Sequence, residues 1–413
     1  MASSLKRIGQ LVGEYQWPNR WGLVFAVVTT FSILYNISFR FNESVTSARL
    51  AILALLLWLF FFGRRHRASF DWRLLVIFIP VPYVIIQWVI IGDSGQISRF
   101  FHLALYSYVG ALIVSRLIGD LRVLLVVLLF VIALQAVILL LSFISIEYRG
   151  WLDAIVVTGG NYDAFNLYRA PGLTSDAGSS LSVVQSLGVL CGGLLLMLRR
   201  GFACRLEVLG VLGLMLLCLV SCAVVGRTGL YLSLVFLLVS IFYSGYFRLL
   251  ITFISLVLVL FFYFGLQGIE SLIPPEVSID WLMNWMLGIF SNDDLTLSTL
   301  GSMPIPPLDR MDSWIGHGLV SIIKGANPSG HDSGFVQTYY SIGFIFAVVL
   351  YLGYIYLLVR LLNWLPSMLK WLLVAIFFGL EAKEPFLFKY AVVFVLVATH
   401  SLAMRSNMAW RRL

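Results

Sequence analysis

Residues 121–146 read LRVLLVVLLFVIALQAVILLLSFISI, and no charge falls between Arg122 and Glu147. A run of this kind covers the roughly 20 residues an α-helix needs to cross the hydrocarbon of a bilayer. It is apolar throughout rather than in alternation, so it reads as a helix and not as a barrel strand. Working outward, similar runs recur at 20–38, 46–63, 73–92, 100–118, 178–198, 205–225, 229–245, 248–267, 334–359, 368–382 and 386–404, which with the first makes twelve. Composition points the same way: 60% of the 413 residues are hydrophobic and 12% charged, with a mean hydropathy of +0.95. A soluble domain carries about twice that share of charge. The expected fold class is therefore all-α, a polytopic membrane protein with about 12 transmembrane helices.

Charge placement orients these spans. With the amino terminus inside, the inner segments hold 18 of the 28 Lys and Arg but only four acids, giving +14 inside and −6 outside. Such a bias is the positive-inside rule, and it predicts two cytoplasmic termini. The net charge of +8 then records topology and calls for no nucleic-acid partner. Lys6 and Arg7 lead into a polar stretch without a short apolar core and cleavage site, so the first helix is expected to stay. None of Cys191, Cys204, Cys218 and Cys222 lies in an outer loop, so no disulfide framework and no metal site are expected.

Three regions follow: residues 1–267 with nine spans and an outer loop at 147–177, a large outer loop at 268–333, and residues 334–413 with the last three spans. Within the large loop, Val277, Ile279, Trp281, Leu282, Trp285, Met286, Ile289 and Phe290 recur at helical spacing. They predict an amphipathic helix lying either on the outer leaflet or on the protein's own outer surface. Met303-Pro304-Ile305-Pro306-Pro307 forces an extended connector. Beyond it Asp312 or Ser313 would cap a helix through Trp314 to Ile323, with Gly325 as its stop. Pro80 and Pro82 predict a kink in the third span, and Gly188, Gly192 and Gly193 close helix packing in the sixth.

Charge at the membrane edge is costly, so each instance has to be read as structure or as chemistry. Arg227, in Gly226-Arg227-Thr228-Gly229, sits in a very short outer turn against the prevailing charge bias; it is either a snorkelling cap or a ligand for an anion. Arg169 and Arg310 add two more outer guanidiniums, the latter flanked by Asp309 and Asp312, with which a surface ion pair is the alternative. Arginine offers a planar fork to phosphate and stays charged at any relevant pH. His331 and Asp332 stand in Ser329-Gly330-His331-Asp332-Ser333-Gly334, where the large loop returns to the membrane. Either could take a proton from a hydroxyl acceptor, with the other orienting it. His317 is a weaker candidate, and Tyr339 and Tyr340 line the same mouth or belong to an aromatic belt. Glu381, Lys383 and Glu384 read as a short polar hairpin, with one glutamate as an alternative base. Asp293-Asp294 lacks a third ligand at fixed spacing, so no metal is assigned.

The Gly-Arg-Thr-Gly turn, the late outer loop and the Gly330-His331-Asp332-Ser333-Gly334-Phe335 segment leading into Tyr339-Tyr340-Ser341-Ile342-Gly343 together resemble the bacterial O-antigen polymerases of the Wzy type. These are similar to the O-antigen ligases. The resemblance implies a GT-C-like fold in the bacterial inner membrane and a metal-independent, cofactor-free glycosyltransferase whose active site faces the periplasm. Its partners would be undecaprenyl-diphosphate-linked glycans and membrane lipids, with a chain-length regulator as a protein partner. Arg169, Arg227 and Arg310 would handle diphosphate and sugar, with Tyr339 and Tyr340 alongside, and His331 or Asp332 would be catalytic. The arginine followed by ten residues and a glycine, described for some polymerases, is absent: Ser180 and Ser321 fall at the eleventh place after Arg169 and Arg310. O-antigen ligase, or a polytopic transporter or lipid-linked sugar flippase, are the rival functions. The flippase reading would want two related halves, which the sequence does not show.

Overall fold

The computed structural model describes residues 20–62, 71–157, 172–174, 178–198, 205–243, 301, 303–304, 306–320 and 328–405. The expected span at 248–267, the amphipathic stretch with Trp281 and Trp285, Asp293-Asp294, Cys204 and Arg169 lie outside these residues. The described residues are mostly helical, at 81%, and the protein is membrane-embedded by the character of its helices. Among the described residues six helices are long and apolar enough to cross a bilayer: Trp72–Ile91 (α3), Gly95–Ile118 (α4), Leu121–Ile144 (α5), Ser179–Met197 (α7), Leu206–Val225 (α8) and Gly334–Leu361 (α11). Shorter apolar helices occupy Arg20–Tyr35 (α1), Ser47–Phe62 (α2), Arg227–Tyr243 (α9), Ser367–Gly379 (α12) and Tyr390–Arg405 (α13). Two further helices lie in connections, Ile146–Ile155 (α6) and Met311–Ile315 (α10).

Burial separates core from lipid face. The α7 span is 100% buried, with α5, α8 and α9 packed round it, whereas the more apolar α3 is 28% buried. Side chains such as Leu53, Phe60, Phe61, Val89, Ile90 and Phe242 are exposed. A water-facing protein could not carry that much uncovered apolar surface, and a bilayer covers it. The close contacts of α7 follow from its glycines. A methyl at Gly188 would stand 2.6 Å from Cys218 Sγ and 2.9 Å from Ile132 Cγ2, and one at Gly193 would overlap the Ser240 hydroxyl. Gly188→Ala is expected to cost about 1–3 kcal/mol through overpacking, read as a lower unfolding temperature of the detergent-solubilised chain; an unchanged temperature would mean that Cys218 simply swings aside.

Three local departures have clear causes. A short two-stranded hairpin, Ser38–Phe39 (β1) with Asn42–Thr46 (β2), joins α1 to α2, and Phe39 bridges to Val156, which leaves the all-α class of the membrane part as expected. The Pro80 and Pro82 kink appears as a 3₁₀ stretch, Trp72–Phe78, followed by an α-helix from Val81. Instead of running to Ile323, α10 stops after one turn, because Gly316 takes φ 75° and interlocks with Gly343, where φ is 78° and α11 breaks. A side chain on either glycine would overlap the other strand's backbone.

Contacts between connections pair segments that charge assigned to the same side. Arg360 Nη2 is 2.8 Å from Asp71 Oδ2 and Arg122 Nη2 is 3.8 Å from Glu207 Oε2 at one end. Burial, the largest single influence, disfavours the charged form of Asp71, but the hydrogen bonds and charges of Arg360 and Arg73 together outweigh it and hold the carboxyl below its ordinary value. Elsewhere Arg40 N donates to Ile155 O at 3.1 Å, pairing the hairpin after α1 with the end of α6.

Candidate functional site

Arg227 and Thr228 begin α9, and their turn is fixed by α7. The Gly229 N–H donates to Ser182 Oγ at 3.1 Å, and a methyl at Gly229 would collide with the Ser182 carbonyl. Only glycine brings the turn this close, so the cation at 227 is held at the end of the most buried helix. Lys383 Nζ donates to Thr228 Oγ1 at 2.7 Å, which draws the connection between α12 and α13 onto the same turn. Glu384, next along, accepts from Ser180 Oγ at 2.6 Å through Oε2, which is also 3.6 Å from Lys389 Nζ. The expected polar hairpin is thus a junction between α7, α9 and α13.

Glu381 is not a solvated hairpin residue. It is fully buried, and its carboxylate accepts from the Leu387 backbone N–H through Oε1 and lies 3.3 Å from the Tyr351 hydroxyl through Oε2. That hydroxyl is also 2.9 Å from Gly334 O and 2.9 Å from Thr338 Oγ1. Ser333 Oγ donates to the Glu381 carbonyl at 3.4 Å. A methyl on Gly334 would stand 2.6 Å from Glu381 Oε2 and from Pro385 Cα, so the return of the chain into α11 is packed directly on this junction.

His331 and Asp332 form the rim of that return. Asp332 is exposed and His331 half-buried. The Ser333 backbone N–H donates to His331 Nδ1 at 2.9 Å. An amide can only donate, so Nδ1 must be the unprotonated nitrogen, and a neutral imidazole carries its proton on Nε2. Gln337 Nε2 donates to the carbonyls of Asp332 (3.0 Å) and His331 (3.4 Å), while its Oε1 accepts from Arg99 Nη2 at 3.0 Å. Arg99, in the second turn of α4, lies over the Phe388 ring with its guanidinium carbon 5.7 Å from the ring centre.

Arg310 and Tyr340 belong to a second locus. Arg310 is exposed and, among the described residues, makes no ion pair with Asp309 or Asp312. The Tyr340 ring stacks on His317 at 4.3 Å, and the His317 and Gly318 amides donate to the carbonyls of Tyr340 and Ser341, both at 2.8 Å. Gln87 Nε2 closes this locus, donating to Ile315 O at 2.9 Å and Ser341 O at 3.1 Å. Tyr339 donates to Pro304 O at 3.2 Å, tying the proline connector to α11. The structure therefore joins His331, Asp332 and the Arg227 turn through α11 and the Glu381–Lys389 junction, and sets Tyr340 with His317.

Arg99 and Gln337 were not singled out from the sequence. Arg99 carried the same signal as Arg227, a cation on the acidic side bordering an apolar run, whereas a lone glutamine on an apolar helix gives none. Beside the junction a small hollow of about 10 Å³, room for about one water molecule, is lined by Leu34, Val184, Phe386 and Tyr390, with Ser180 and Lys389 at its polar side. No family model matches the sequence, and neither a curated protein nor a solved structure matches it.

Proposed function

We propose that the chain is a surface-polysaccharide polymerase of the O-antigen type. It would transfer a growing glycan from undecaprenyl diphosphate to a lipid-linked repeat unit. In this reading the protein crosses the bacterial inner membrane about twelve times in a GT-C-like arrangement, with both termini in the cytoplasm and the site on the periplasmic face. The observation that carries it is the gathering of Arg99, the Arg227–Thr228 turn, Lys383 and the His331-Asp332 rim at one end of apolar helices. That end is where the reacting head of a lipid-linked diphosphate lies once its chain is in the bilayer.

The step breaks the bond between the donor sugar's anomeric carbon and the diphosphate oxygen, and the electron pair leaves with the diphosphate. Arg227 and Lys383 stabilise that charge. A hydroxyl of the acceptor sugar attacks and forms the new glycosidic bond, its proton passing to the Asp332 carboxylate. His331 has its Nδ1 lone pair occupied by the Ser333 amide, so it acts through Nε2–H, donating to an oxygen of the substrate. Arg169, which lies outside the described residues, and Arg310 are the remaining cations of this reading, for the sugar or the far phosphate, with Tyr339 and Tyr340 as further candidates for sugar contact.

Deleting the gene and separating the lipopolysaccharide on a gel tests the assignment. Bands carrying a single repeat unit are expected. Loss of every repeat-bearing band would identify a ligase, and lipid-linked repeats trapped on the cytoplasmic leaflet would identify a flippase.

A further inference from the structure

Arg99 is the least explained charge in the molecule. It sits half-buried on a helix long and apolar enough to cross the membrane, where a charge persists only with partners. Among the described residues its hydrogen-bond partner is Gln337, through Nη2, and Nη1 is buried with none. Glu381 and Asp93 are the carboxylates that act on it through space without a hydrogen bond to it, and the two oxygens of Glu381 are taken by Leu387 N–H and the Tyr351 hydroxyl. The Phe388 ring covers one face of the guanidinium. Its plane is thus set by Gln337 and Phe388, while one edge of the fork is left over. A planar fork with an unspent edge is the geometry that takes two oxygens of a phosphate.

We propose that Arg99 is a phosphate-binding residue, receiving two oxygens of the substrate's diphosphate on its Nη1 edge; this rests on the polymerase reading above. Gln337 is then a positioning residue. It holds the guanidinium with its carbonyl oxygen and the His331-Asp332 backbone with its amide nitrogen, so that occupation of Arg99 is coupled to the placement of the rim.

The full chain in lipid nanodiscs supplies the test, with undecaprenyl diphosphate, undecaprenol and inorganic diphosphate as probes. The unmodified chain is expected to bind the lipid diphosphate at least tenfold more tightly than undecaprenol. Arg99→Gln should reduce that preference to a few-fold, the part that Arg227 and Lys383 still hold, and leave undecaprenol binding as it was, a split that a merely structural role would not produce. Arg99→Lys, which keeps the charge and loses the fork, should lose several-fold and serves if the glutamine variant does not fold. A preference unchanged in both variants would overturn the role of Arg99 and leave the polymerase reading intact. No preference in the unmodified chain would overturn the polymerase reading, and Arg99's role with it. Inorganic diphosphate bound as tightly as the lipid would assign the site to free diphosphate and overturn the lipid-linked ligand.

Discussion

Asp332→Asn should lower turnover by about two to four orders of magnitude, the usual worth of a general base, whereas His331→Gln should lower it by only about tenfold. The contrast follows from one hydrogen bond. With Ser333 N–H on Nδ1, the imidazole has no lone pair to offer an acceptor hydroxyl unless the Ser333 amide gives up its partner. Glutamine keeps an N–H donor in roughly the same place, so it preserves what Nε2–H can do and removes what a titrating ring could do. Asparagine at 332 is nearly the shape of aspartate but cannot hold a proton. The rates are read from polymer formed from a synthetic lipid-linked repeat unit in vesicles containing each variant. Equal losses of about a thousandfold would make His331 the base and Asp332 its orienting partner. A bound substrate that pulls His331 away from Ser333 would show itself in the same way.

The bilayer is what made the helices legible, since a lipid solvent forces long uncharged runs and leaves few other readings of them. Glycine packing in α7 could also be anticipated, because only small side chains let helices approach without a hydrophobic drive between them. The site was only half legible. Arg227, His331 and Asp332 stood out because short turns and flanking glycines mark them. Glu381 did not declare its burial, because a Glu-Ala-Lys-Glu-Pro run has the composition of a solvated hairpin, and only the approach of Gly334 and Tyr351 encloses it. The early stop of α10 had a visible Gly316 but an invisible cause, the interlock with Gly343 on a distant segment. Long-range pairings of this kind, such as Arg99 with Gln337, carry no periodicity for a sequence to display.

Glu381→Ala should destabilise the folded chain by about 3–5 kcal/mol, the cost of leaving partners of a buried charge unmatched. The carboxyl receives the Leu387 N–H and stands beside the Tyr351 hydroxyl in a site that water does not reach; burial works against its charged form and pushes it up to about 8, while Arg99 favours that form. Glu381→Gln removes the charge but keeps an acceptor for Leu387, so its cost should fall to about 1–2 kcal/mol. The ordering separates two contributions that the alanine variant merges, hydrogen bonding and countercharge. If countercharge matters, Arg99→Met should partly rescue Glu381→Ala, since the cation it leaves uncompensated is then gone. Unfolding of the detergent-solubilised variants, followed by loss of the monomer peak on gel filtration, measures all of these. Alanine and glutamine variants of equal stability, with no rescue by Arg99→Met, would mean that the junction is held by Pro385, Phe386 and Leu387 packing alone. The connection through Ser333 makes a further demand: loosening Glu381 should expose the 328–333 segment to protease in the alanine variant before the transmembrane helices unfold.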